Sequence, residues 1–439
     1  MPLMSENKDI IAEPRLRVVI INKSDSTGGA AVVSRRLMES LRGEGVDARM
    51  LVVEKLTHSP YIELAASPRS IKRPFLAERL KIFMANGFDR STLFKIDTGS
   101  DGLPLWEHHL VKEADAVLIN WVNQGMLSLK GVEKIIALGK PVIWTMHDMW
   151  CMTGICHHAG DCRGYLKKCG NCPLLGKRGG DNDLSHKIWE KKRRLGSLKE
   201  KITFVAVSNW LARKAKESSL LAGEKVCVIP NPFNLSFDEC SREKNNSGGK
   251  IRLIFGAARV DDPIKGLPVL VEATKLLRTD YPELASRMEL VTFGGVKDPS
   301  SLSDMGVESR HLGMVKGEDE VRKVYESADI LVSASSYETL PGTLVEAQAY
   351  GCIPVSFNQG GQSDIVEHLS TGHLAHFSSD LEVAARNLAE GIVWAVSVVD
   401  DEPARAAMLA RMRDNVKSRF LSSAVAGAYV RLICGRRNV

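Results

Sequence analysis

Two glutamates, Glu338 and Glu346, stand eight positions apart in the run Ser335-Ser336-Tyr337-Glu338-Thr339-Leu340-Pro341-Gly342-Thr343-Leu344-Val345-Glu346. Between them Pro341-Gly342 marks the passage from loop to helix, because a first helical turn leaves N–H groups unpaired and proline has none to lose. Thr343 to Ala349 is helix-compatible, so Glu346 lies roughly a turn and a half inside and Glu338 stays outside. The free N–H groups and positive dipole end of such a helix suit a phosphate. A carboxylate at each edge of that cradle suits a ligand with hydroxyls on both sides of a diphosphate, and a nucleotide sugar has that form. An ordinary surface helix with two solvated glutamates accounts for any one of these residues taken alone.

The residues that follow extend the pattern. Ile353-Pro354-Val355-Ser356-Phe357 reads as a short apolar strand and Gln359-Gly360-Gly361-Gln362 as a tight turn. With these, the chain resembles the family-4 retaining glycosyltransferases through Glu338, Glu346-Ala347, Gly351-Cys352-Ile353-Pro354-Val355 and Gly360-Gly361. Where the commoner family form has Gly-Phe-Gly after the first glutamate, this chain has Thr339-Leu340-Pro341-Gly342, similar to a variant in polysaccharide-assembly enzymes. The resemblance implies the GT-B fold: two doubly wound, Rossmann-like α/β domains facing a cleft. It implies metal-independent transfer from a UDP- or GDP-sugar, with retention of anomeric configuration. Glu338 would accept hydrogen bonds from the donor sugar and Glu346 from the ribose, while Pro341, Gly342, Thr343 and Leu344 would border the diphosphate.

The elements that must position these residues form two series. A chain of 439 residues fits two domains of about 200. With 44% hydrophobic and 26% charged residues it has a globular composition. Strands are expected over 16–21, 48–53, 116–119, 141–145 and 203–207, then over 251–256, 289–293, 330–333 and 353–357, alternating with helices. The polar stretch after Asn234 places the boundary near residue 235. The expected division is an acceptor-side domain over 1–235 and a nucleotide-sugar domain over 236–419. By the resemblance, a terminal helix over about 420–439 returns to the first domain. The stretch from Lys55 to Leu110 yields no clear element, and acceptor-binding parts could lie there.

Three further groups follow predicted strand ends, where ligands of α/β sheets collect. Gly28-Gly29 permits close backbone approach after the first strand, although a plain tight turn is the simpler reading. Arg259 and Lys265-Gly266 occupy a loop that on spacing alone is an ordinary solvated one. The resemblance makes both cations grips for the donor diphosphate, stabilising charge as the leaving group departs. His147, in Trp144-Thr145-Met146-His147-Asp148-Met149-Trp150, matches a family position near the donor sugar and would orient it or stabilise charge at its anomeric carbon.

Five of the nine cysteines fall between Cys151 and Cys172, within an insert at about 151–175. Cys156-x5-Cys162-x6-Cys169-x2-Cys172 ends on the two-residue spacer common to zinc sites. A structural zinc on these four, with His157 or His158 as a substitute ligand, stands beside disulfides and packed free thiols. The first 14 residues lack the apolar core of an export signal, which argues a reducing, cytoplasmic setting against disulfides. The segment from His186 to Lys201 carries seven cations against two anions among apolar residues. It is either the charged outer face of a helix or a contact with an anionic membrane, at the inner face of the cytoplasmic membrane if the acceptor is a lipid-linked glycan. A net charge of +6 is too mild to imply nucleic acid. Other GT-B enzymes, such as a nucleotide-sugar epimerase, and a non-catalytic binding subunit remain alternatives.

Overall fold

In the computed structural model, which describes residues 15–195, 198, 201–235 and 249–437, the chain forms two parallel sheets with helices on both faces. The first sheet contains β1 (Arg17–Ile21), β2 (Asp47–Val52), β3 (Ile62–Leu64), β4 (Ala116–Ile119), β5 (Val142–Met146), β6 (Ile202–Ala206) and β7 (Val226–Val228). Its order is β3-β2-β1-β4-β5-β6-β7. The second contains β8 (Ile251–Arg259), β9 (Met288–Gly295), β10 (Glu308–His311), β11 (Ile330–Ser333), β12 (Ile353–Phe357) and β13 (His373–Ala375), in the order β10-β9-β8-β11-β12-β13. Each order reverses beside its first strand, β1/β4 and β8/β11, and opens a crevice beyond the strands' carboxyl ends. Burial on both faces explains the continuous apolar strand sequences. In β1, Val18 and Ile20 pack on one side while Val19 and Ile21 pack on the other.

All nine anticipated strands form, with boundaries differing by a residue or two at most sites. The second-domain strand β8 instead runs on to Arg259, with a shift of register against β9 between Gly256 and Arg259. Four short strands were not anticipated: β3, β10 and β13 mix polar with apolar residues, and β7, though apolar, is only three residues long. Every residue of β10 is exposed, because its place in the sheet comes from backbone pairing with β9 rather than from side-chain burial. Within 55–110 the chain forms β3 and the helix Pro68–Ala85, whose interior Pro74 obscures its helical pattern in the sequence.

The terminal helix Ser422–Arg437 buries Val425, Ala426, Tyr429 and Ile433 with Val18, Ile20 and the helix Gly29–Gly43 of the first sheet. The Tyr429 hydroxyl meets Thr145 Oγ1 at 2.9 Å. The chain returns beside its point of departure: Phe233 N–H donates to Phe420 O at 2.9 Å, and Ser422 N–H donates to Phe233 O at 3.2 Å.

Candidate active site

A cleft of about 720 Å³ lies between the two sheets, walled by the loops that leave their carboxyl ends. On the second-domain side the Glu338 loop rests on the Gly360-Gly361 turn. Gly361 N–H donates to Glu338 O at 2.8 Å. No side chain fits there: a Cβ on Gly360 would stand 2.3 Å from Glu338 O, and one on Gly361 would stand 1.9 Å from Thr339 O. Gly360 also has φ of 90°, which glycine alone adopts cheaply. The turn therefore fixes the height of the Glu338 backbone in the cleft.

The Glu338 carboxylate accepts from Lys265 Nζ in a direct ion pair. Lys265 leaves a tight turn in which its own N–H donates to Asp262 O at 2.8 Å and Asp262 Oδ1 accepts from Ile264 N–H at 3.2 Å. The following helix start begins at Gly342, with Pro341 as its cap rather than inside its first turn. Pro341, Gly342, Thr343 and Glu346 all line the cleft. Glu346 accepts from the Tyr325 hydroxyl at 3.1 Å. Burial raises its carboxyl above the usual range, while Arg36 and that hydroxyl act the other way.

The first-domain wall faces these groups. Gly28, with φ of 89°, and Gly29 begin the helix Gly29–Gly43, and a Cβ on either would meet only the open cleft. His147 lies just past β5, its Nε2 buried without a hydrogen-bond partner and its main-chain carbonyl accepting from Thr339 Oγ1 at 3.2 Å across the cleft. Burial holds its imidazole at about 4, with Asp148 opposing, so the ring is neutral near pH 7. Behind it, Asp148 accepts from Trp121 Nε1 at 2.9 Å and from Trp150 N–H at 2.8 Å.

Two wall residues carry no sequence signal that singles them out. Arg36, inside the first helix, borders Glu346 in the cleft and reaches Glu318 of the second domain at 3.2 Å. Lys23 lines the same cleft and donates to Gln124 Oε1 at 2.6 Å. Neither cation belongs to a local motif, and only the facing of the two sheets brings them to the site.

Several expectations require correction. Arg259 does not line the cleft: its side chain is 47% exposed and turned to Asp262 at 2.8 Å and Asp261 at 3.4 Å. Leu344 is core rather than ligand wall, since its side chain is fully buried and its N–H donates to Pro341 O at 3.2 Å. His157 is not available to the cysteines. Its Nδ1 and Nε2 each meet a carboxylate at 2.6 Å, Asp148 and Asp97. Burial would lower this ring, but the two carboxylates carry it up to about 10. His158 also turns away from the thiols, packing edge-on against Tyr337 of the second domain at 4.6 Å between ring centres.

The basic helix Leu184–Arg194 turns Ile188 and Trp189 into the first-domain core, and Leu195 beyond it is buried too. Those apolar groups are committed to packing, which leaves Lys187, Lys191, Arg193 and Arg194 as its charged outer face. The chain also contains one Asp-x-Asp, Asp181-Asn182-Asp183. It is part of a helix start away from the cleft, where Asp183 accepts from His186 N–H at 3.1 Å and Cys172 N–H at 2.8 Å. No helix among the described residues is long and apolar enough to cross a membrane.

Two facing Rossmann-like domains with a cleft at their switch points define the GT-B class, and solved structures of that class share the fold. Anabaena Alr3699/HepE in complex with UDP and glucose matches with a TM-score of 0.60 over 96% of this chain and 100% of that one, at 14% identity. WaaG, a glycosyltransferase involved in lipopolysaccharide biosynthesis, matches with a TM-score of 0.61 over 95% and 100%, also at 14% identity. Residues 237–392 match the family model of Glycosyl transferases group 1. The D-inositol 3-phosphate glycosyltransferase of Stackebrandtia nassauensis is 31% identical over 193 residues, which span 40% of this chain and 41% of that relative.

Proposed function

We propose that the protein is a retaining glycosyltransferase that moves a sugar from a UDP- or GDP-sugar to a hydroxyl of a growing, lipid-linked polysaccharide. The observation that carries this reading is the convergence of Glu338, Lys265, Glu346 and the Gly342 helix start on one cleft, opposite Gly28-Gly29 and His147. The second domain would hold the nucleotide. Gly342 and Thr343 offer main-chain N–H groups to the diphosphate, and Glu346 accepts from the ribose hydroxyls. Lys265, released from Glu338 when the donor enters, becomes a point charge on the phosphates, and Arg36 approaches them from the facing domain. Glu338 then accepts hydrogen bonds from the donor sugar.

His147 contributes a neutral ring at the sugar, able to accept or donate one hydrogen bond at Nε2. The acceptor hydroxyl attacks from the face the diphosphate leaves, and its proton passes to a departing phosphate oxygen. Cations in the cleft serve where other enzymes place a divalent ion, so the chemistry requires no metal. Pathways of the lipopolysaccharide or exopolysaccharide kind suit an enzyme working in the cytoplasm at the membrane's inner face. WaaG's role and the exposed cations of the helix Leu184–Arg194 support that setting.

The test is a panel of nucleotide sugars read by thermal shift without added metal. A ligand bound only by the folded state at about 100 times its Kd stabilises by about 2.7 kcal/mol. One UDP- or GDP-sugar should raise the midpoint in wild type and fail to do so in Lys265→Ala and Glu346→Ala. A shift of equal size in both variants would sink the assignment of the donor site. Binding without turnover on any glycan acceptor would point to a non-catalytic subunit.

A further inference from the structure

We propose that Cys156, Cys162, Cys169 and Cys172 bind a structural zinc ion that pins the loop carrying His157 and His158 to the cleft wall. The four side chains, all free thiols, line one small internal cavity together with Thr153, Ile155 and Tyr165. Three of the sulfurs receive main-chain N–H groups, as metal-bound thiolates do. Gly154 N–H points at Cys169 Sγ at 3.2 Å, Gly164 N–H at Cys162 Sγ at 3.5 Å, and Leu174 N–H at Cys172. Such donors to sulfur form the supporting layer that orients metal ligands. Between Cys169 and Cys172 the chain turns through Asn171 at φ of 48°, which points both ends of the two-residue spacer toward the cavity.

A second observation concerns charge. Lys192 is 3% exposed and donates to the carbonyls of Trp150 at 2.6 Å and Thr153 at 3.1 Å, with its ammonium 3.5 Å from the centre of the Trp150 ring. Among the described residues no carboxylate lies within ion-pair distance of it. A buried cation without an anion is costly. Its electrostatic neighbours are, in order, the sulfurs of Cys151, Cys169 and Cys156 and then the more distant Asp148 carboxylate. Four thiolates around a divalent ion carry a net charge of about −2, which this ammonium partly offsets. No three of the sulfurs lie within 4.8 Å of one another, so zinc–sulfur bonds of about 2.3 Å would draw them inward onto the cavity. With both histidines engaged elsewhere the ligand set is all thiolate, a closed shell without a position for substrate.

The consequence reaches the cleft. Met149 N–H donates to His157 O at 2.8 Å, and Cys156 bridges to Ile96, so the loop ties the Asp97–His157–Asp148 contacts to the cysteine cluster. The metal would thus hold the backing of His147 without taking part in transfer.

Elemental analysis of the full chain purified under reducing conditions tests the site. About one zinc per chain is expected in wild type and in the Cys434→Ser control, with loss of most of it in Cys169→Ser and Cys172→Ser. Metal-free wild type overturns the proposal, whether its thiols titrate freely or peptide mapping finds disulfides. Zinc retained in both variants overturns it too. Because either variant could misfold, wild type from cobalt-supplemented cells supplies an independent readout. A thiolate-to-cobalt charge-transfer band with intense tetrahedral d–d absorption is expected, and a pale octahedral spectrum overturns the assignment.

Discussion

His147 shows what burial does to a single group beside a ligand. Its imidazole sits at about 4 in the folded chain against 6.5 for the free side chain. Below pH 6.5 the unfolded chain therefore binds a proton that the folded one refuses. The stability associated with this residue is complete above about pH 6.5 and is lost as pH falls toward about 4. Replacing it as His147→Gln should make the acid limb of the stability curve shallower in that window, where each pH unit carries up to about 1.4 kcal/mol. Urea melts at several pH values check this, and parallel limbs for wild type and variant would show that the ring is not desolvated as described. Glu346 shifts in the opposite sense, since burial favours its neutral form. A carboxylate that accepts from ribose should accordingly weaken donor binding as pH is lowered, at values where a solvated glutamate is still ionised.

At the scale of elements, two glycine pairs do different jobs. Gly28-Gly29 opens a 15-residue helix toward the cleft and has empty space beside both Cα atoms. Gly29→Ala should leave stability within about 0.5 kcal/mol, because nothing in the protein opposes the methyl group. It should nonetheless reduce turnover, because that methyl stands in the ligand's volume. Gly360-Gly361 is packed against the Glu338-Thr339 backbone instead. Gly361→Ala must push that loop away, and a loss of about 1–3 kcal/mol together with weakened donor binding is expected. Thermal melts and steady-state kinetics on the two variants separate the roles. Loss of stability in Gly29→Ala, or none in Gly361→Ala, would contradict this division.

Polar contacts join the packing that crosses between the domains. Asp364 of the second domain caps a first-domain helix, Asn209–Glu217, accepting from Asn209 N–H at 3.0 Å and Trp210 N–H at 3.1 Å. Arg36–Glu318 and Thr339–His147 span the cleft itself. The two chain crossings lie side by side at Phe233 and Phe420–Ser422, which suits a hinge that closes on substrate. Asp364→Ala should cost about 1–2 kcal/mol through the lost cap and let the domains separate further in solution. Chemical denaturation and small-angle scattering measure both effects. Unchanged stability and radius would mean that the cap does not hold the domains.

The division between sequence and tertiary structure follows the range of the forces involved. Buried parallel strands must be apolar along their whole length, so nine of the thirteen among the described residues were readable, and alternation with helices implied two doubly wound domains. The Glu338-to-Gly361 segment was readable because a loop, a helix start and a glycine turn act over neighbouring residues. Edge strands such as β10 left no trace, since backbone pairing asks nothing of side chains that stay in water. Arg259 and Lys265 looked alike as cations after a strand, and only the folded loop sets one against Asp261 and Asp262 and the other on Glu338. Arg36, Lys23 and the His157 clamp were invisible for a related reason. Their partners lie in distant parts of the chain, and no local pattern encodes a contact that exists only once the sheets and their loops have come together.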